Sequence, residues 1–164
     1  MLIRSIQGVV LALGLLISAA VSAQSGQLNH AFGTHGVVSY AVNNSGNDSV
    51  SAEAIYPSSS PHAGKIILAG DGYESGKAAS VTSLLRLNAD GRSLDTSFGN
   101  NGKATVYFGN GTANNCKAVL IQPDDKIVVL TDHVSTTVPY RILNLMRFNA
   151  DGTSDTLFGT NGNA

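Results

Sequence analysis

The sequence predicts an all-β fold built from repeated units of four short strands each. Two stretches are near copies. Leu85-Arg86-Leu87-Asn88-Ala89-Asp90-Gly91 runs into Phe98-Gly99-Asn100-Asn101-Gly102, and Leu145-Met146-Arg147-Phe148-Asn149-Ala150-Asp151-Gly152 runs into Phe158-Gly159-Thr160-Asn161-Gly162. A third copy of the ending, Phe32-Gly33-Thr34-His35-Gly36, stands near the start. Self-similarity at a period of some tens of residues marks solenoids and propellers. Beyond residue 24 no apolar stripe at helical spacing survives about ten residues without Gly, Pro or Asn, so no helix is expected there.

Taken in order, residues 1–23 carry one cation, Arg4, then an apolar stretch over 9–17, then Ser18-Ala19-Ala20-Val21-Ser22-Ala23. Val21 and Ala23 fit the small-residue positions of a signal-peptidase site, which predicts a cleaved signal helix and a mature chain starting at Gln24. A membrane anchor would need about 20 apolar residues, and this core is near half that. No Cys follows the site to take a lipid. The expected location is secreted, periplasmic or cell-surface, with no membrane contact after cleavage.

The β-repeat domain then covers residues 24–164, with units at about 28–93 and 94–154 and the hook of a third at 155–164. Phe32 to Val50 and Phe98 to Cys116 both span 18 residues, and Lys65 to Asn88 and Lys126 to Asn149 both span 23. The copies differ by an insertion, Ser58-Ser59-Ser60-Pro61-His62, whose composition marks it as a surface loop. In the second unit strands are expected at about 103–108, 116–122, 126–130 and 142–148. Ile66-Ile67-Leu68-Ala69 and Ile127-Val128-Val129-Leu130 are unbroken apolar runs, predicting inner strands buried on both faces. Residues 81–87 and 142–148 carry Ser83, Arg86, Asn144 and Arg147, so one face of each should meet water or a charge partner.

Removing Arg4 from the ten Lys and Arg leaves nine cations against eleven anions, all scattered. That excludes a nucleic-acid patch and a polybasic membrane surface. Cys116 is the only cysteine, so no intrachain disulfide can form; its alignment with Val50 predicts a small buried hydrophobe.

The recurring residues read as scaffold. Arg86 and Arg147 repeat at one position and Asp95 and Asp155 at another, predicting an ion pair from the last strand of a blade to the hook that follows. Phe32, Phe98 and Phe158 are expected to plug crevices between blades. Asn88-x-Asp90-Gly91 and Asn149-x-Asp151-Gly152 place oxygens at alternate positions as calcium loops do, but an EF-hand has its Gly sixth, not fourth, and Asp-Gly is a common tight-turn pair. Gly72-Tyr73-Glu74-Ser75-Gly76 misses the Gly-x-Ser-x-Gly elbow by one place. The four His never take a two-His metal spacing. Asp132 repeats Asp71, while His133 replaces Gly72; as a unique polar residue beside a repeated one, His133 with Asp132 is the best ligand-contact candidate. No catalytic residue, cofactor site or metal site is expected.

Lys65-Ile66-Ile67-Leu68-Ala69-Gly70, Leu85-Arg86-Leu87-Asn88-Ala89-Asp90-Gly91 and Leu94-Asp95-Thr96-Ser97-Phe98-Gly99-Asn100-Asn101-Gly102 resemble the delta-60 repeat of secreted and surface bacterial proteins. The resemblance runs from Leu28 to the end, and its second copy is degraded at Thr153-Ser154-Asp155-Thr156-Leu157. It implies β-propeller-like blades and no shared activity, cofactor or ligand. Two units and a hook cannot close a ring, since propellers use about 4–8 blades. Either the chain oligomerises into a ring or it is a short or truncated member of a longer array; because the sequence breaks off inside a hook, truncation is the leading expectation. Two functions fit. The first is an exported non-enzymatic module acting as scaffold or binding surface, associating with itself or with other β-repeat units through sheet edges. The second is a fragment of a secreted hydrolase or calcium-dependent propeller enzyme, with its chemistry in the loops at 73–77 or 132–140.

Overall fold

Why these residues form strands is plain from their alternation. In Ile127–Val134, the side chains of Ile127, Val129 and Thr131 are fully buried, while those of Val128, Leu130 and His133 are only partly covered. A period of two with one deeply buried face is the pattern of a sheet packed on one side. The computed structural model describes residues 26–40, 48–73, 80–106, 114–134 and 140–164. The expected leader (residues 1–23) and residues 74–77 and 135–139 of the two candidate enzyme loops lie outside the described residues.

Seven strands form two antiparallel sheets, and no helix occurs among the described residues. The first sheet has the order β1 (Ser49–Ile55), β2 (Ile66–Tyr73), β3 (Ser80–Leu87), β4 (Lys103–Val106), and the second has β5 (Asn114–Ile121), β6 (Ile127–Val134), β7 (Arg141–Phe148). The registers repeat. Ile67 lies opposite Arg86, Ala69 opposite Leu84 and Asp71 opposite Thr82, as Val128 lies opposite Arg147, Leu130 opposite Leu145 and Asp132 opposite Leu143. Both first strands carry a bulge at the same place, between Val50 and Ala52 and between Cys116 and Ala118.

The strand that begins at Lys103, expected to open the second unit, pairs with β3 instead, Lys103 opposite Leu85 and Ala104 opposite Leu84. The hook between them is a tight reversal, so the chain that leaves it runs back along the strand it has just left. In the second sheet this fourth position holds the last residues: Leu145 and Ala164 exchange both backbone hydrogen bonds, at 2.8 and 2.9 Å, and Met146 bridges Asn163.

The core lies between the sheets. One face of the first sheet (Ala52, Ile67, Ala69, Leu84, Ala104) packs on one face of the second (Cys116, Ile127, Val129, Met146, Phe148). Burial on both faces therefore fails for β6, because among the described residues no further layer covers its outer side. On β3 the alternation expected from its polar residues is also overridden: Val81 through Leu87 are all buried, Arg86 included, because that residue has its charge partner inside.

Ser58–Ser60, Pro61 and His62 sit in a compact turn, tied by Ser60 N–H to Pro57 O and Lys65 N–H to His62 O, both 3.0 Å. The His62 ring meets the buried Tyr56 ring edge-on at 5.2 Å. The second unit has Gln122 in place of Tyr56 and reverses directly, Gln122 N–H to Lys126 O at 2.8 Å. Deleting residues 58–62 is expected to lower stability by about 1 kcal/mol, through the lost cover on Tyr56, since loop length itself weighs little. Urea unfolding of this variant beside Ile67→Ala, where the loss should be about 2–5 kcal/mol, checks the assignment; equal losses would contradict it.

Candidate functional site

Each hook is built by the same local rules. After β3, Asn88 through Gly91 make a turn closed by Gly91 N–H to Asn88 O (2.9 Å), and the Asp90 carboxylate accepts from Arg92 N–H (3.0 Å). After β7, Gly152 N–H to Asn149 O (2.9 Å) and Asp151 Oδ1 from Thr153 N–H (2.9 Å) repeat it. Asp90 and Asp151 thus cap their own turns, which is what short acidic side chains do there. Among the described residues no three His, Cys, Asp or Glu side chains gather as a metal would need.

The chain then turns through Asp95 and Phe98. Asp95 N–H donates to Arg86 O (2.7 Å), Phe98 N–H to Asp95 O (3.0 Å) and Gly102 N–H to Phe98 O (2.7 Å). Gly99, at φ +52°, faces the Lys103 carbonyl so closely that a Cβ would collide with backbone. The hook's charge centre is buried. Asp95 Oδ2 accepts from Arg86 Nε at 2.7 Å and from Lys65 Nζ at 2.6 Å, and Oδ1 takes Ser97 Oγ at 2.7 Å. Burial alone would raise this carboxyl's pKa, but the Lys65 ammonium, Ser97 and Arg86 hold it well below the ordinary carboxylate range. Arg86 also lies over the Phe98 ring at 4.7 Å. The second copy keeps the frame: Arg147 Nε and Lys126 Nζ reach Asp155 Oδ2 at 2.7 and 2.8 Å, and Arg147 lies 4.6 Å from the Phe158 ring centre. Leu157 replaces Ser97 and is 89 % exposed, so the hydroxyl contribution is lost. Lys65 and Lys126 were not singled out from the sequence as site residues, although both open aligned 23-residue segments, which was the signal that could have found them.

Among the described residues, three polar contacts join the sheets beside the apolar core. Arg86 Nη1 donates to Ala150 O at 2.5 Å, Gly99 N–H to Asp151 O at 2.6 Å with Phe98 lying on Gly152, and Cys116 N–H to Asp71 Oδ2 at 2.6 Å. Burial raises the pKa of Asp71, and it pushes the Cys116 thiol up to about 11, with the Asp71 charge adding to the effect. The thiol therefore stays protonated and packs as a hydrophobe. The N-terminal hook makes the equivalent of the second contact on the first sheet: Gly33 N–H to Asp90 O at 2.8 Å, with Phe32 lying on Gly91.

Asp132 and His133 are not brought together. Successive residues on a strand point to opposite faces, and each has its own partner: Arg141 Nη1 (2.6 Å), Asn115 (3.0 Å) and Lys117 (3.5 Å) hold Asp132, while Asn144 meets His133 Nδ1 at 2.8 Å. Burial works against ionisation of Asp132, but Asn115, Arg141 and Lys117 outweigh it and lower its pKa.

What remains open is the outer face of the second sheet. Leu120, Leu143 and Leu145 are 61, 68 and 39 % exposed there, with Val128 and Leu130 half-buried between them. On the far side of the first sheet, an apolar groove of about 460 Å³ runs between Val38–Tyr40 and the side chains of Ile66, Leu68, Leu85 and Leu87.

Residues 64–98 and 122–158 match a domain of unknown function, DUF5122, described as a β-propeller. The matched segments run through β2, β3 and hook and through β6, β7 and hook, so the chain carries repeats of β-propeller type. No curated protein and no solved structure matches it significantly.

Proposed function

We propose that the chain is an exported, non-enzymatic β-repeat module of the delta-60 kind that serves as scaffold or binding surface. One observation carries this: the recurring polar groups Arg86, Asp95, Arg147 and Asp155 are engaged in holding hooks, whereas the second sheet offers solvent a face of leucines. Contiguous exposed apolar surface of this kind marks interaction sites. Residues 18–23 support export, and the hook motif beside the β-propeller match supports the repeat type.

The test is made on protein recovered from an expressing host. Its N-terminus is expected at Gln24. It should show no turnover of ester, phosphate, glycoside or peptide substrates, and calorimetric titration with calcium or zinc should give no stoichiometric heat. Retention of residues 1–23 would remove the export reading. Turnover or tight metal uptake would replace the scaffold with the enzyme fragment.

A further inference from the structure

We infer that the outer face of the second sheet receives a second copy of this chain, seated by its first sheet as the second sheet is seated on the first within one chain. The inference rests on the binding-surface reading above and names its partner.

The internal repeat supplies the template. By register, Ile67, Ala69, Leu84 and Thr82 of the first sheet correspond to Val128, Leu130, Leu145 and Leu143 of the second. The first four are 0–1 % exposed because the second sheet covers them. Their counterparts form the same face with no described residue packed over it, and there Leu143 replaces Thr82 and Leu120 replaces Ala54, so the open face is the more apolar of the two. The surface that covers the first face is built from Ile127, Val129, Met146 and Phe148. Its repeat equivalents, Ile66, Leu68, Leu85 and Leu87, line the groove of the first sheet, where Phe32 and Val38–Tyr40 form the other wall and Leu85 and Leu87 are already buried. One molecule thus carries both halves of an interface it already makes internally. Burying such a face is favourable at about 25 cal/mol per Å² of apolar area.

Polar groups at the rim repeat the same logic. Arg86 crosses the internal interface to Ala150 O and Asp71 to Cys116 N–H. Their equivalents on the open side are Arg147 and Asp132, and the groups they would meet on a second copy are the Ala89 carbonyl and the Val50 N–H. Contacts of this kind are heterologous and continue from copy to copy until a ring closes. About two to four copies would supply the blades at which propellers close.

One element stands in the way. The turn at Asp90 and Gly91, which a neighbour's Phe158 hook would cap, is already capped by the molecule's own Phe32 hook. The two hooks claim one seat. The C-terminal hook is anchored to its sheet by the Arg147–Asp155–Lys126 cluster and by backbone bonds to Arg147 and Leu145. The N-terminal hook has Asn29 where those have Asp, and among the described residues its segment Val37–Tyr40 pairs with no named strand. The N-terminal hook is the one that yields, and it acts as a cap competing with the neighbour.

Sedimentation equilibrium of the protein in the form the cell accumulates, over a wide concentration range, tests this. Wild type should associate reversibly. Phe32→Ala, which loosens the cap, should associate about tenfold more tightly. Leu143→Asp/Leu145→Asp should remain monomeric with an unchanged urea midpoint, since both side chains are solvent-exposed before docking. Wild type and Phe32→Ala both monomeric throughout would overturn the inference, as would oligomers that survive the double Asp variant. Unchanged affinity in Phe32→Ala would remove the hook exchange. Failure here leaves the binding-surface reading standing for other partners, whereas turnover in the previous test would sink that reading without touching this face.

Discussion

Replacing Arg86 with Ala is expected to lower folding stability by about 3–5 kcal/mol, the loss that follows when one partner of a buried ion pair is removed. The side chain is 1 % exposed and serves five groups at once: Asp95, Ser97, the Ala150 carbonyl and the Phe98 and Tyr56 rings. Without it the Ala150 carbonyl loses a charged donor at the sheet junction. Asp95 is left with Lys65 as its sole charged partner. The matching change at Arg147 is expected to weaken the protein clearly less. That side chain is 22 % exposed, so water can take over part of what it leaves. Urea titration followed by far-UV circular dichroism measures both, and tyrosine fluorescence gives a second probe because the chain has no Trp. Equal losses at the two positions would mean that the sheet junction adds nothing to the ion pair.

Phe98→Ala is expected to cost about 3–5 kcal/mol, the range for removing a fully buried phenyl ring from a core. Phe98 is 0 % exposed and does three things: it fills the crevice between sheets, covers Gly152, and underlies Arg86. Its loss should therefore loosen one sheet from the other as well as the hook. The sign of that is a lower denaturant slope or two separated transitions, where wild type should unfold in one. Phe158 is only half-buried, with no Asp-Gly turn of the described residues packed on it, and its truncation should leave the transition single. A Phe98→Ala midpoint no lower than that of Phe158→Ala would contradict the crevice role.

Much of this is legible in the sequence alone. The all-β class, the repeated strands, the loop at 58–62 and the burial of Cys116 all follow from spacing and composition, because alternation and turn chemistry are local properties. The sheet membership of Lys103–Val106 was not legible. Its residues are as compatible with opening a new unit as with closing the old one, and only the reversal at Phe98–Gly102 sends it back onto β3. Lys65 and Lys126 were visible as repeated cations, yet nothing local places them beside carboxylates 30 and 29 residues away. Asp132 and His133 are neighbours in sequence, and their separate partners, Arg141 and Asn144, could not be read from it. On a strand, adjacency sends side chains apart.

By itself the sequence determined the β class, the repeat spacing and the residues each hook must carry, since those depend on period, turn residues and repetition. Tertiary structure decided which copy of each repeated residue is buried. Ile67 and Val128, Leu84 and Leu145, and Arg86 and Arg147 occupy equivalent places in equivalent strands, yet the first of each pair is sealed and the second is partly open. The cause is stacking. Burial belongs to a face only when another layer lies on it, and each sheet gains that layer from its neighbour rather than from its own residues.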